Sequence, residues 1–209
     1  MLAMLQFASV PVLLPGAPAT HNLRVDPDAP AHLAMTDFRS APLVTTRCKV
    51  SIEDALQQMK LAGARFAFVV GSDQQLLGSI TSYDIQGEKP VQYMLSAGCS
   101  ESVHVWRDVR VEHIMEPVVN WRVLAYAQVL RMSAAEMAAL LAESGQRYLV
   151  VVEDAADART HQIRGLFSAA RLQALLGRGG WAPAVSRGMT SVMVRGKAAA
   201  NEPTTSSYA

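Results

Sequence analysis

The sequence predicts an α/β protein built from two copies of one helix–strand–hairpin–strand–helix unit, and three observations predict it. Residues 61–70, LAGARFAFVV, and residues 143–152, ESGQRYLVVV, match at a constant spacing of 82 positions, with Gly63 on Gly145, Arg65 on Arg147 and Phe66 on Tyr148. Upstream, Ser51 and Ser133 keep that spacing. Downstream, GSITSYDI at 78–85 faces GLFSAARL at 165–172 at a spacing of 87, and the extra residues fall in the polar stretch 153–164. An insertion confined to a loop is what two copies of one fold show.

Each element has its own local reason. Ser51 precedes Ile52, Ala55, Leu56 and Met59, an apolar set at helical spacing, and Glu53 and Asp54 occupy the first turn. Ser133 precedes Ala134, Met137, Ala138 and Leu141 in the same pattern, with Glu136 placed for a capping box. Gly63 and Gly145 sit where these helices end. Phe66–Val70 and Tyr148–Val152 are short β-branched and aromatic runs, hence strands. Returning strands are expected over Leu76–Thr81 and Ile163–Ser168, and second helices from near Ser82 and Ala169. Each small sheet leaves an apolar face, so the copies are expected to pack strand face to strand face.

Composition narrows the function classes. Half of the 209 residues are hydrophobic, 18% are charged and the net charge is +1. That is neither the composition of a disordered chain nor that of a protein coating nucleic acid or an acidic membrane. Cys48 and Cys99 form no disulfide framework and no CxxC pair. No stretch of about 18 apolar residues is present, so no membrane span is expected. Met1–Leu14 is apolar, but Arg24 is the first basic residue and Pro11 and Pro15 interrupt the run, unlike a secretory leader. The expectation is a cytoplasmic protein whose apolar arm packs on its own body or on a second subunit.

The residues Gly78-Ser79-Ile80-Thr81-Ser82-Tyr83-Asp84 form a strand end followed by a Thr-x-x-Asp turn. With the helix and strand before them, they resemble the signature of the cystathionine-β-synthase (CBS) domain. Val111–Val118, VEHIMEPV, resembles the lead-in that opens a second such motif. The likeness covers roughly residues 36–177, and two CBS repeats in tandem resemble a Bateman module. The division it implies is an N-terminal arm over 1–35, a first CBS repeat with its linker over 36–110, a second repeat over 111–177 and a C-terminal tail over 178–209. The tail is Gly-, Ser-, Thr- and Ala-rich; it docks on the body through Trp181, Val192, Met193 and Val194, is disordered, or is the contact that reaches a partner, and the sequence does not choose among these.

The resemblance implies an adenine nucleotide, held between paired repeats as a regulatory ligand, with no cofactor required. Asp84 then accepts the two ribose hydroxyls, and Thr81, beside a helix start, holds a phosphate oxygen. Val44, Thr45 and Phe66 line an apolar slot for the base. Arg65 and Arg147 supply cations for phosphate, and in one resembling regulatory member of the family an Arg at the place of Arg65 reaches nucleotide phosphate. Each residue has a plainer role open to it. Asp84 suits the helix dipole, Thr81 or Ser82 a cap, the two arginines an exposed or ion-paired surface, and Val44, Thr45 and Phe66 the core.

In the second copy Ser168 replaces Thr81 and Arg171 stands where Asp84 stands in the first. Arg171 either fills that cleft as a counter-ion or reaches the phosphates of a nucleotide held by the first copy. No HExxH, GxSxG, Walker A or GxGxxG motif is present, so no catalytic or metal-ligating residue is expected. The expectation is a non-catalytic regulatory module acting on a separate protein. The alternative is a ligand-free dimerisation module. A homodimer is expected in both cases, because Leu56, Met59, Leu140 and Leu141 look like more apolar surface than one chain can bury.

Overall fold

The computed structural model describes residues 24–98, 104–154 and 161–177, with the backbone of 194–195. A 3-10 turn (Ala31–Ala34) and β1 (Thr36–Asp37) come first. The first repeat follows as β2 (Thr45–Arg47), α1 (Ile52–Leu61), β3 (Phe66–Val70), β4 (Leu76–Thr81) and α2 (Ser82–Gln86). The connection holds α3 (Lys89–Ser96), α4 (Val105–Asp108), α5 (Val111–Ile114) and β5 (Glu116–Pro117). The second repeat is β6 (Arg122–Ala125), α6 (Tyr126–Val129), α7 (Ala134–Ser144), β7 (Tyr148–Asp154), β8 (His161–Ser168) and α8 (Ala169–Leu176). The backbone of β9 (Val194–Arg195) pairs with β6. Trp181, Val192, Met193, Cys99 and the N-terminal run Met1–Leu14 lie outside the described residues.

The two repeats obey one set of rules. Ser51 and Ser133 cap α1 and α7 by accepting the backbone N–H three residues on, and Glu136 completes the capping box. The buried positions of α1 are Ile52, Ala55, Leu56 and Met59, and those of α7 are Ala134, Met137, Ala138 and Leu141, position for position the same stripe with different apolar residues. Gly63 and Gly145 leave the helices at φ +62° and +64°, a conformation that a side chain disfavours. Both hairpins carry an irregularity at equivalent places, Val69/Val70 and Val151/Val152.

Strand alternation builds three apolar layers. Ala67, Val69 and Ile80 face the helices of the first repeat, while Leu149, Val151 and Phe167 face those of the second. Phe66, Phe68, Trp121, Val150 and Leu166 form the layer between the sheets. Phe68 lies at its centre, 1% exposed, with the rings of Phe66, Phe38 and Trp121 at centroid distances of 5.0, 5.6 and 5.9 Å. Edge-on aromatic packing of this kind adds to the burial of apolar area. The sheets therefore meet through their strand faces, as the pattern requires.

The lead-in segments are exchanged. The sheet of the first repeat has the order β2-β3-β4-β5 and ends on the segment that enters the second repeat. The sheet of the second repeat has the order β1-β8-β7-β6-β9 and ends on the segment that enters the first. Ala31 donates to Met132 O at 2.8 Å and Val111 to Val50 O at 3.0 Å, so the two lead-ins dock alike. An ion pair between Asp37 and the buried Arg164 of β8 fastens β1, and Arg39 reinforces it by binding Glu153 at 2.9 Å.

The exchange corrects one expectation. Leu56, Met59 and Leu141 are 4%, 1% and 1% exposed, and Leu140 is partly buried against the second core. Val109, Val111 and Ile114 of the lead-in cover the first two, while Ala31 and Ala34 pack into the core that holds Leu141. Leu56, Met59 and Leu141 are thus buried within the chain and supply no surface for a dimer, while Leu140 keeps part of its surface.

Candidate functional site

The turn from β4 into α2 concentrates polar groups. Thr81 caps α2, its Oγ1 accepting the Asp84 N–H at 3.1 Å. Asp84 Oδ2 accepts from the Thr81 N–H at 2.9 Å and from the Thr81 hydroxyl at 2.6 Å. This reciprocal arrangement satisfies backbone donors that a helix start leaves open. The other carboxylate oxygen, Oδ1, takes an ion pair from Lys89 Nζ at 2.7 Å. Thr81 and Asp84 therefore fill the capping role, while the carboxylate also faces a cation.

Arg65 is drawn to this turn by the backbone. Its carbonyl accepts the Ser82 N–H at 3.0 Å, and the Arg147 carbonyl accepts the Ala169 N–H at 2.9 Å in the second repeat. The two arginines then converge on one residue. Arg65 Nη1 donates to Tyr83 Oη at 3.2 Å, and the Arg147 guanidinium lies 4.3 Å from the centroid of the Tyr83 ring, in cation–π contact. Beneath them Phe66 packs on Tyr148, ring centroids 5.1 Å apart. Burial pushes the Tyr148 phenol above its ordinary pKa; Tyr83 and Asp84 add to the effect, and Arg65 and Arg147 oppose it. Neither arginine forms an ion pair with a carboxylate among the described residues.

The structure thus brings together Arg65, Arg147, Phe66, Thr81 and Asp84. It does not bring Val44 and Thr45 to them. Thr45 pairs with Phe68 in β2, on the far side of β3 from β4; it is exposed, while Val44 packs into the first core. Phe66 pairs with Thr81 across the ladder and belongs to the layer between the sheets. In the second repeat Ser168 caps α8 through the Arg171 N–H at 3.5 Å, and no carboxylate returns the bond. The Arg171 side chain is exposed and has no hydrogen bond or ion pair to a described residue.

Three members of the cluster carry no signal of their own in the sequence. Tyr83 lies inside the Thr-x-x-Asp turn, and its counterpart in the second repeat is Ala170, so comparison of the repeats passes over it. Tyr148 reads as an ordinary strand aromatic. Lys89 lies in the linker, where no repeat exists to mark it. A separate groove of about 270 Å³ runs along Arg65 on the helical side, lined also by Leu56, Met59, Lys60, Ala64 and Ser82. Among the described residues no group of three or more His, Cys, Asp or Glu is placed to hold a metal, and no helix is long and apolar enough to cross a membrane.

No protein-family model matches the sequence, and no curated protein matches it. The fold is similar to solved structures that include CBS-domain proteins. An uncharacterized conserved protein from Pyrococcus horikoshii is 20% identical, over 71% of this chain and 92% of that one, with a TM-score of 0.48. A putative signal-transduction protein with CBS domains from Burkholderia ambifaria is 22% identical, over 68% and 88%, with a TM-score of 0.46. The CBS-pair protein CBSX2 from Arabidopsis thaliana is 20% identical, over 69% and 91%, with a TM-score of 0.43; CBSX2 has also been solved in complex with AMP.

Proposed function

We propose that this chain is a tandem CBS module, a non-catalytic cytoplasmic sensor that binds an adenine nucleotide beside the β4–α2 turn and signals to a separate protein as a homodimer. The observation that carries the reading is the convergence of Arg65 and Arg147, one from each repeat, on Tyr83 next to Asp84. Two guanidinium groups that meet on one tyrosine with no ion-paired carboxylate among the described residues repel each other, and an anion relieves that repulsion. Phosphate is the ligand group their fork geometry suits best. Asp84 follows Tyr83 in the chain, and its carboxylate suits a ribose diol. Because the two arginines come from different repeats, a phosphate between them ties one repeat to the other. Occupancy of the site then bears on how the two halves sit together.

A second reading is favoured by a specific observation. Both oxygens of Asp84 already have partners, Thr81 and Lys89, which is what a purely structural cap needs. On that reading the chain is a ligand-free interaction module. Calorimetric titration of nucleotide-stripped protein with AMP, ADP, ATP, NAD, S-adenosylmethionine and cyclic dinucleotides separates the two. Heat of binding from an adenine nucleotide, lost in Arg65→Ala and Arg147→Ala, supports the sensor. Absence of binding for every compound leaves the structural module.

A further inference from the structure

We propose that Lys89 is a tethered occupant of the Asp84 carboxylate, which the ribose of an incoming nucleotide must displace, and that its release frees the start of α3. The inference rests on the reading of Asp84 as a ribose acceptor. A ribose diol presents two O–H donors, and a carboxylate takes both when two of its roughly four lone pairs stand free. Asp84 Oδ2 already accepts two hydrogen bonds, from the backbone and the hydroxyl of Thr81. What remains is Oδ1 with its two lone pairs, and Lys89 Nζ takes one of them at 2.7 Å. One lone pair is left, so the carboxylate takes both hydroxyls only after this residue of its own chain withdraws.

The position of Lys89 gives the closure a consequence. It is the first residue of α3, joined to α2 only through Gly87 and Glu88. The same ammonium lies 3.5 Å from the Ile114 carbonyl, at the end of α5 where the chain enters the second repeat. One cation thus ties together the signature turn, the start of α3 and the lead-in of the other repeat. Pro90 and Met94 anchor the inner face of α3, so loss of the Lys89 contacts loosens its N-terminus without expelling the helix. The ion pair also straddles the surface, with the lysine side chain 42% exposed and the aspartate 19% exposed. Pairs in such a setting are weak enough for a ligand to replace. The second repeat carries Arg171 in place of the aspartate and has no equivalent closure.

The test is titration of stripped wild-type protein and of Lys89→Met, which keeps the apolar stem, with adenosine and AMP. Lys89→Met is expected to bind both about fivefold more tightly, equivalent to about 1 kcal/mol. The gain is expected to vanish on an Asp84→Asn background. Backbone amides of residues 89 and 91–96 should exchange faster in wild-type protein on adding AMP, and should exchange that fast in unliganded Lys89→Met. Lys89→Gln serves as the second variant if the methionine protein is misfolded by near-UV circular dichroism. Equal or weaker binding by the variants, with wild-type binding intact, overturns the occupant role and leaves the nucleotide reading standing. If neither wild type nor variant binds either compound, the nucleotide reading falls and the role of Lys89 falls with it.

Discussion

Gly78 lies so close to Glu116 that a Cβ added to the glycine would stand 2.2 Å from the Glu116 carbonyl oxygen. The two residues belong to β4 of the first repeat and to the lead-in of the second. The counterpart holds on the other side, where a Cβ on Gly165 would stand 2.7 Å from the Thr36 carbonyl oxygen and 2.6 Å from Met35 Sδ. The glycine of the signature is thus a packing requirement. It lets the exchanged lead-in pair directly with the hairpin strand, Gly78 opposite Pro117 and Gly165 opposite Asp37.

Gly78→Ala is therefore expected to destabilise the fold by about 1–3 kcal/mol, because backbone must move to admit the methyl group. Gly165→Ala is expected to cost less, since one of its two close contacts is a flexible methionine side chain. Urea unfolding of the three proteins checks the order. Equal midpoints for Gly78→Ala and wild type would show that the lead-in is not packed as described.

Phe68→Ala removes the ring at the centre of the layer between the sheets. Truncation of a buried phenylalanine costs about 3–5 kcal/mol. The loss is expected to weaken both repeats together, since Phe68 of the first contacts Trp121 at the entry to the second. Coincident unfolding curves from near-UV and far-UV circular dichroism, both moved to lower denaturant, are the expected result. A shift confined to one of the two signals would argue that the repeats unfold independently.

The parts of this fold legible in the sequence are those where both copies solve the same problem with the same residues. Ser51 and Ser133, Gly63 and Gly145, and Arg65 and Arg147 keep one spacing because cap, helix end and strand start are fixed in geometry, while length differences collect in the hairpin loop. The exchange of lead-ins was not legible. Ala31–Asp37 and Val111–Pro117 adopt the same course, yet Met35 and Met115 are the one identity between them at that register. Burial of Leu56 and Met59 depends on that exchange, so counting apolar residues helix by helix overestimated what remained for a partner. At the site, Arg65, Arg147, Thr81 and Asp84 could be found by aligning the copies. Tyr83 and Lys89 could not, because each exists in one copy alone and acts through a contact made only after folding.

Stability is expected to fall in acid. The Arg39 backbone N–H, helped by Arg164, holds the Asp37 carboxyl below its ordinary pKa, and the hydrogen bond from Lys49 does the same for Glu112. With the folded pKa lowered, the unfolded chain binds more protons in acid, so stability rises with pH through this range. The contribution is complete above the ordinary carboxylate values, near about 4, and is lost as pH falls through the lower folded values. Tyr148 gives the opposite sign in alkali. Its folded pKa is raised, so its share is complete below about 10 and is lost as pH climbs through the folded value. Denaturant midpoints measured from pH 2 to 7 should drop on the acid side, less steeply in Glu112→Gln. A flat acid profile would contradict the ion pairs.

The melting temperature of stripped protein gives the last prediction. A ligand that binds only the folded state stabilises it by mass action, by about 2.7 kcal/mol at a hundred times its dissociation constant. For a chain of this size that is a rise of roughly 5–10 °C. AMP and ATP are expected to produce it. Asp84→Ala should abolish most of the rise, and should also lower the melting temperature without ligand, because the carboxylate completes the cap of α2. The two effects separate by comparing liganded and unliganded scans of the same variant. Arg65→Ala and Arg147→Ala should weaken ATP more than adenosine, since only the phosphates need the cations. Arg171→Ala should leave the rise intact if the second cleft takes no part, and reduce it if that side chain reaches the phosphates. A melting temperature of wild-type protein that stays unchanged at millimolar AMP and ATP would sink the sensor and leave a module that works through protein contacts alone.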